Sequence, residues 1–144
     1  MTKGLIALLG GAALLACAGC GASNPPRTEP SYVVGRVPGT HQWQIVLTPD
    51  GAGAIGIQTA RAASVRGRRA SVTIPLSAII YSATGETYAY VSPRRLAYRQ
   101  VAIRVRTIVG RTVYLRSGVP PGSRVVTVGA EELFGAQTGV LGQT

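Results

Sequence analysis

The residues that could do chemistry in this chain are few and unevenly spread. Across 144 residues there are two cysteines, Cys17 and Cys20, one histidine, His41, and five carboxylates, Glu29, Asp50, Glu86, Glu131 and Glu132. A catalytic site needs a nucleophile beside a base, paired carboxylates or a set of metal ligands. Glu131 and Glu132 are consecutive and so do not face one another. His41 stands in a polar Gly-Thr-His-Gln setting, where a lone imidazole reads as a surface group. No Gly-rich phosphate loop with its Lys follows a strand. The expectation is a protein that is not an enzyme and uses no cofactor and no metal.

Arginine is the abundant functional group. The formal net charge is +10, and beyond residue 16 every basic residue is Arg. The guanidinium is a planar fork that binds phosphate and carboxylate bidentately, so an anionic neighbour is expected: a phospholipid headgroup, a wall polymer or an acidic protein face. The densest run is RAASVRGRR, with Arg61, Arg66, Arg68 and Arg69; Arg104 and Arg106 follow on alternate residues of a strand-like segment. These six are the candidate anionic-surface or partner-binding residues. The plainer alternative is a solvated loop. Aromatic residues do not interleave with the arginines, so a stacking platform for nucleic acid is not expected.

Both cysteines fall in the leader. Met1-Thr2-Lys3 is a short cationic start, and residues 4–16 carry no charge, the size of a signal h-region and too short for a comfortable membrane span. LLACAGCG then resembles the lipobox of bacterial lipoproteins, with the lipidated residue either Cys17 or Cys20. Cleavage before Cys17 makes residues 1–16 the signal peptide. GASNPPRTEPS is polar and Pro-rich, so residues 17–31 read as a flexible tether, and residues 32–144 as the folded domain. The expected place is the cell envelope, on the outer face of the cytoplasmic membrane. With both cysteines here, no disulfide is left for the domain, which must be stabilised by burial.

The elements that position these groups read as strands. Gly 19 and Pro 9 in so short a chain imply many turns, while 46% hydrophobic residues and a mean hydropathy of +0.24 imply a folded core. Residues 72–91, VTIPLSAIIYSATGETYAYV, read as strand, turn and strand, with Gly85 in the turn. In Thr48-Pro49-Asp50, either Thr48 or Asp50 is the N-cap of one helical turn, in a stretch too Gly-rich for a long helix. AYRQVAIRVRTIV, residues 97–109, reads as one half-buried strand with Val101, Ile103, Val105 and Thr107 on one face. Gly110-Arg111 is a two-residue hairpin turn, and residues 124–129 form the last strand. Residues 130–134 make one helical turn before a Gly-rich tail, with Leu133 and Phe134 plugging the core. The class is all-β: a small antiparallel β-barrel or sandwich with a single core.

The order of these segments is similar to the membrane-proximal part of periplasmic adaptor subunits, the membrane fusion proteins of efflux pumps. Pro75, Ser77, Ala78 and Ile79, then residues 88–91, then Gly118, Val119, Gly122, Val125 and Val126, then Gly129 and Leu133, match that family's closing motifs, with Val119 in place of a Leu. VLTPDGAGAIGIQTA, residues 46–60, resembles the segment where such adaptors begin after their anchor. The resemblance covers residues 43–140 and implies a non-catalytic module beside an inner-membrane permease or other export component, with a homo-oligomer left open. A full adaptor places a β-barrel, a lipoyl-like domain and a helical hairpin between the two arms. Here residues 61–69 are all that joins them, so the resemblance implies a truncated form, either a cut-down module or a degenerate adaptor remnant.

Overall fold

A computed structural model describes residues 31–67 and 71–141. The leader, Cys17, Cys20, Arg68 and Arg69 lie outside the described residues. The chain runs β1 (Tyr32–Arg36), β2 (Trp43–Leu47), α1 (Pro49–Ile55), β3 (Gln58–Arg61), β4 (Ala63–Val65), β5 (Ser71–Pro75), a 3-10 turn (Leu76–Ala78), β6 (Ile80–Tyr81), β7 (Thr87–Arg94), β8 (Ala97–Ala102), β9 (Arg104–Val109), β10 (Thr112–Ser117), β11 (Arg124–Val128) and α2 (Ala130–Leu141).

The protein is all-β, built from two antiparallel sheets. The larger has the order β1-β2-β8-β7-β11-β3, with β6 sharing one edge of β7 with β11; the smaller is β4-β5-β10-β9. Of the two expected architectures the sandwich is found, because the sheets do not close into a barrel.

The expected single core is in fact two. Ile74, Val113 and Leu115 of the small sheet pack on Ala89 and Val125 of the large one. The other face of the large sheet buries Ile45, Tyr90, Tyr98 and Val126 beneath Leu133 of α2, with Ile55 of α1 alongside. Neighbours in sequence therefore serve opposite clusters: Ile79 and Ile80, Ala89 and Tyr90, Val125 and Val126. Successive side chains of a strand point to opposite faces, so a sheet covered on both faces reads as a continuous apolar run.

Three segments depart from the expectations. Residues 72–91 are not one hairpin: only Ile80 and Tyr81 pair back onto β7, around Gly85 at φ +84°, while β5 crosses to the small sheet and pairs with β10. Residues 97–109 are two strands, β8 in the large sheet and β9 in the small one. Ile103 is the buried corner, where its N–H donates to the Thr87 carbonyl at 2.9 Å and its carbonyl accepts from Thr87 Oγ1 at 2.8 Å. Gly118 makes that corner possible. Its φ is +124°, and a Cβ there would stand 2.7 Å from the Ala102 carbonyl oxygen.

The third departure is α2, which continues to Leu141 through Gly135 and Gly139. Its anchor is polar and buried. The Tyr90 hydroxyl donates to Gln137 Oε1 at 2.9 Å, and Gln137 Nε2 donates to Gln100 Oε1 at 2.8 Å. Burial pushes the Tyr90 phenol far above its usual range, so it stays a donor. Glycine costs helix about 1 kcal/mol relative to alanine, and tertiary docking outweighs that here.

The short helix and the hairpin turns follow their local chemistry. Thr48 caps α1 through a 3.1 Å bond from the Gly51 N–H, and Gly56 closes it at φ +69°. Gly110 joins β9 to β10 at φ +57°, the first central position of a tight hairpin turn.

Candidate anion-binding site

At one end of the large sheet, the tip of the β7–β8 hairpin approaches the turn that leads into β11. Arg94 pairs with Ala97 across a two-residue turn, Arg95-Leu96. Leu96 is the sole non-glycine residue at positive φ among the described residues, at +62°. Its carbonyl accepts from the Leu47 N–H at 2.9 Å, and Ser92 Oγ donates to the Arg94 carbonyl at 3.0 Å. The tip is thus tied to β2 and to itself, and it carries two arginines outward.

The facing wall is fixed from the other side. The Ala62 N–H donates to the Ser123 carbonyl, and the Gly122 N–H donates to the Ala62 carbonyl, both at 2.8 Å. These bonds hold the Gly- and Pro-rich turn against the end of β3. Arg124 then stands directly opposite Arg61 across the β11–β3 ladder. Like charges in that relation destabilise a sheet pair. Arg99, on β8, donates from Nε to Gln44 Oε1 at 3.1 Å.

Between these walls lies a cavity of about 660 Å³, lined by Arg61, Arg94, Arg95, Arg99 and Arg124 together with Val91, Val101, Pro93 and Pro120. Among the described residues no carboxylate lines it. The side chains of Arg61, Arg94, Arg95 and Arg124 are exposed and make no hydrogen bond or ion pair with any described residue. Glu86 stands at the far end of β7 and Glu131 and Glu132 just beyond the far end of β11. β7 has eight residues and β11 five, so the two ends lie roughly 25 Å apart along β7 and roughly 16 Å apart along β11 at about 3.3 Å per residue.

The six arginines singled out from the sequence do not form one surface. Arg61 enters the cavity. Arg66 is exposed just beyond β4, at one edge of the small sheet, whereas Arg104 and Arg106 are exposed on β9 at the opposite edge. Three strand spacings lie between those edges, roughly 14 Å. Arg94, Arg95, Arg99 and Arg124 complete the site and were not in the candidate set. The available signal was an Arg-Arg pair in a turn plus an Arg opening a strand, but only the sheet order joins them. Among the described residues no three of His, Cys, Asp and Glu come together.

The arrangement can hold an anion. Guanidinium groups donate in a fixed fork and accept nothing, and four of these five have no acceptor among the described residues. No family model, curated protein or solved structure matches the chain.

Proposed function

We propose that this chain is a lipid-anchored, non-catalytic module of the cell envelope, adaptor-like in its β segments, held at the outer face of the cytoplasmic membrane beside an export permease. Its working surface is the arginine cleft. The observation that carries the reading is that five arginines line one cavity, with no carboxylate among the described residues of its wall. Such a wall binds and orients an anionic group.

Two further features support the reading. LLACAGCG supplies a lipidation signal at Cys17 or Cys20. The two arms that resemble an adaptor are also hydrogen-bonded neighbours: β3, from the first arm, pairs with β11, from the second, and β11 pairs with β7.

The test is crosslinking in the native membrane followed by purification. A permease or other export component is recovered with the wild-type chain and lost with the Arg94→Glu/Arg95→Glu variant. Recovery of the chain alone, or recovery unaffected by the charge reversal, contradicts the proposal. Incorporation of a labelled fatty acid that Cys17→Ser or Cys20→Ser abolishes tests the anchor separately.

A further inference from the structure

The cleft narrows the chemistry of its own ligand. One carboxylate is matched by one bidentate guanidinium, and here five arginines line a single cavity. Arg61 and Arg124 repel across the β3–β11 ladder, and an anion of more than one charge placed between them removes that repulsion. Arg95 and Arg124 also line a second hollow of about 420 Å³ on the α1 side, which shares Ser92 with the first. Two adjoining hollows with arginines common to both offer places for two separate anionic groups. A phosphate group presents more acceptor oxygens and more charge than a carboxylate, so it satisfies more of the unpartnered donors. Val91, Val101 and Pro120 add an apolar wall, against which the linker between such groups can lie. The main cavity has the size of an ordinary small-molecule or headgroup site, about 300–1,000 Å³.

We propose that the cleft binds a ligand carrying two or more phosphate groups. That chemistry is common to a free oligophosphate and to the headgroup of a diphosphatidyl phospholipid. The inference rests on the cleft being the working surface of the protein.

The experiment uses the full chain reconstituted in phosphatidylcholine nanodiscs, with hydrogen exchange of residues 92–99 and 118–124 as the readout. One arm adds tripolyphosphate and the other incorporates cardiolipin. Exchange in these segments slows by about tenfold or more in at least one arm, and the responding arm identifies the source of the phosphates. The Arg94→Gln/Arg124→Gln variant loses the effect. The Arg104→Gln/Arg106→Gln variant, which removes the same charge elsewhere, keeps it. Absence of protection in both arms, or equal loss in both variants, overturns the proposal. Absence of protection together with an export component still lost on Arg94→Glu/Arg95→Glu overturns the ligand class while leaving the proposed function standing.

Discussion

At the scale of single residues, function and stability pull in opposite directions. Arg61 and Arg124 stand opposite one another, and among the described residues no carboxylate lines the cavity they share. Replacing Arg124 by Gln is expected to raise stability by about 0.2–1 kcal/mol, because a like-charged cross-strand pair is removed. The same variant weakens anion binding, so a denaturant midpoint and a binding curve must move in opposite senses. Tyr90 is the reverse case, a polar group kept for the core. Tyr90→Phe leaves Gln137 Oε1 buried without its donor, and the expected cost is about 1–3 kcal/mol. The pH dependence has a definite sign. The folded state holds the Tyr90 proton above the ordinary value of 10.0, whereas the unfolded chain releases it there. Stability is therefore full below about pH 10 and falls above it by up to about 1.4 kcal/mol per pH unit for this group. Denaturant titrations of the wild type and Tyr90→Phe at increasing alkaline pH check this, and the variant should lose part of the slope. Leu96 is held at φ +62°, so Leu96→Val, whose β-branched side chain suits that conformation poorly, should destabilise the fold by about 1–2 kcal/mol.

At the scale of elements, local chemistry was readable in the sequence and pairing was not. The Thr48 cap, the Gly85 turn and the Gly110-Arg111 hairpin each depend on a few adjacent residues, and each is where the residue types put it. The partners of β5 and β7 depend on which sheet each strand joins, and residues 72–91 contain nothing that specifies this. A β-bulge misleads in the same way. Tyr114 pairs with Thr107 and Leu115 with Val105, leaving Arg106 extra. The alternation read along residues 97–109 reverses there, so Ile108, not Thr107, pairs with the buried Val113. Arg104 and Arg106 lie on an edge strand whose Val109 is 62% exposed, and charge on such an edge discourages pairing with another chain. That gives these two arginines a structural role. The extent of α2 was hidden for a similar reason, since Gln137 is held by Tyr90 from 47 residues away. Gly118→Ala tests the corner between β8 and β9. With both a positive φ and a Cβ 2.7 Å from a backbone carbonyl oxygen, the variant should lose at least about 1–3 kcal/mol, measured by thermal or denaturant unfolding.

At the scale of the molecule, arginines gather where β7 ends and β11 begins, whereas Glu86, Glu131 and Glu132 lie at the other end and Asp50 opens α1 on the arginine side. The candidate site was invisible for that reason: Arg61, Arg94, Arg95, Arg99 and Arg124 come from four strands and a turn, and each alone looks like an ordinary surface charge. Folding makes them one cleft at the end of a sheet covered on both faces. Binding through this end should weaken as salt rises past the concentration at which exposed charges are screened over about 10 Å. The most direct test of the central claim places a photoreactive amino acid in the cleft at Ser92 and, in a second chain, on β9 at Thr107, and irradiates each in the native membrane. A crosslink to a partner or lipid is expected from Ser92 and none from Thr107; crosslinks from Thr107 alone, or equal ones from both, would rule out the cleft as the working surface.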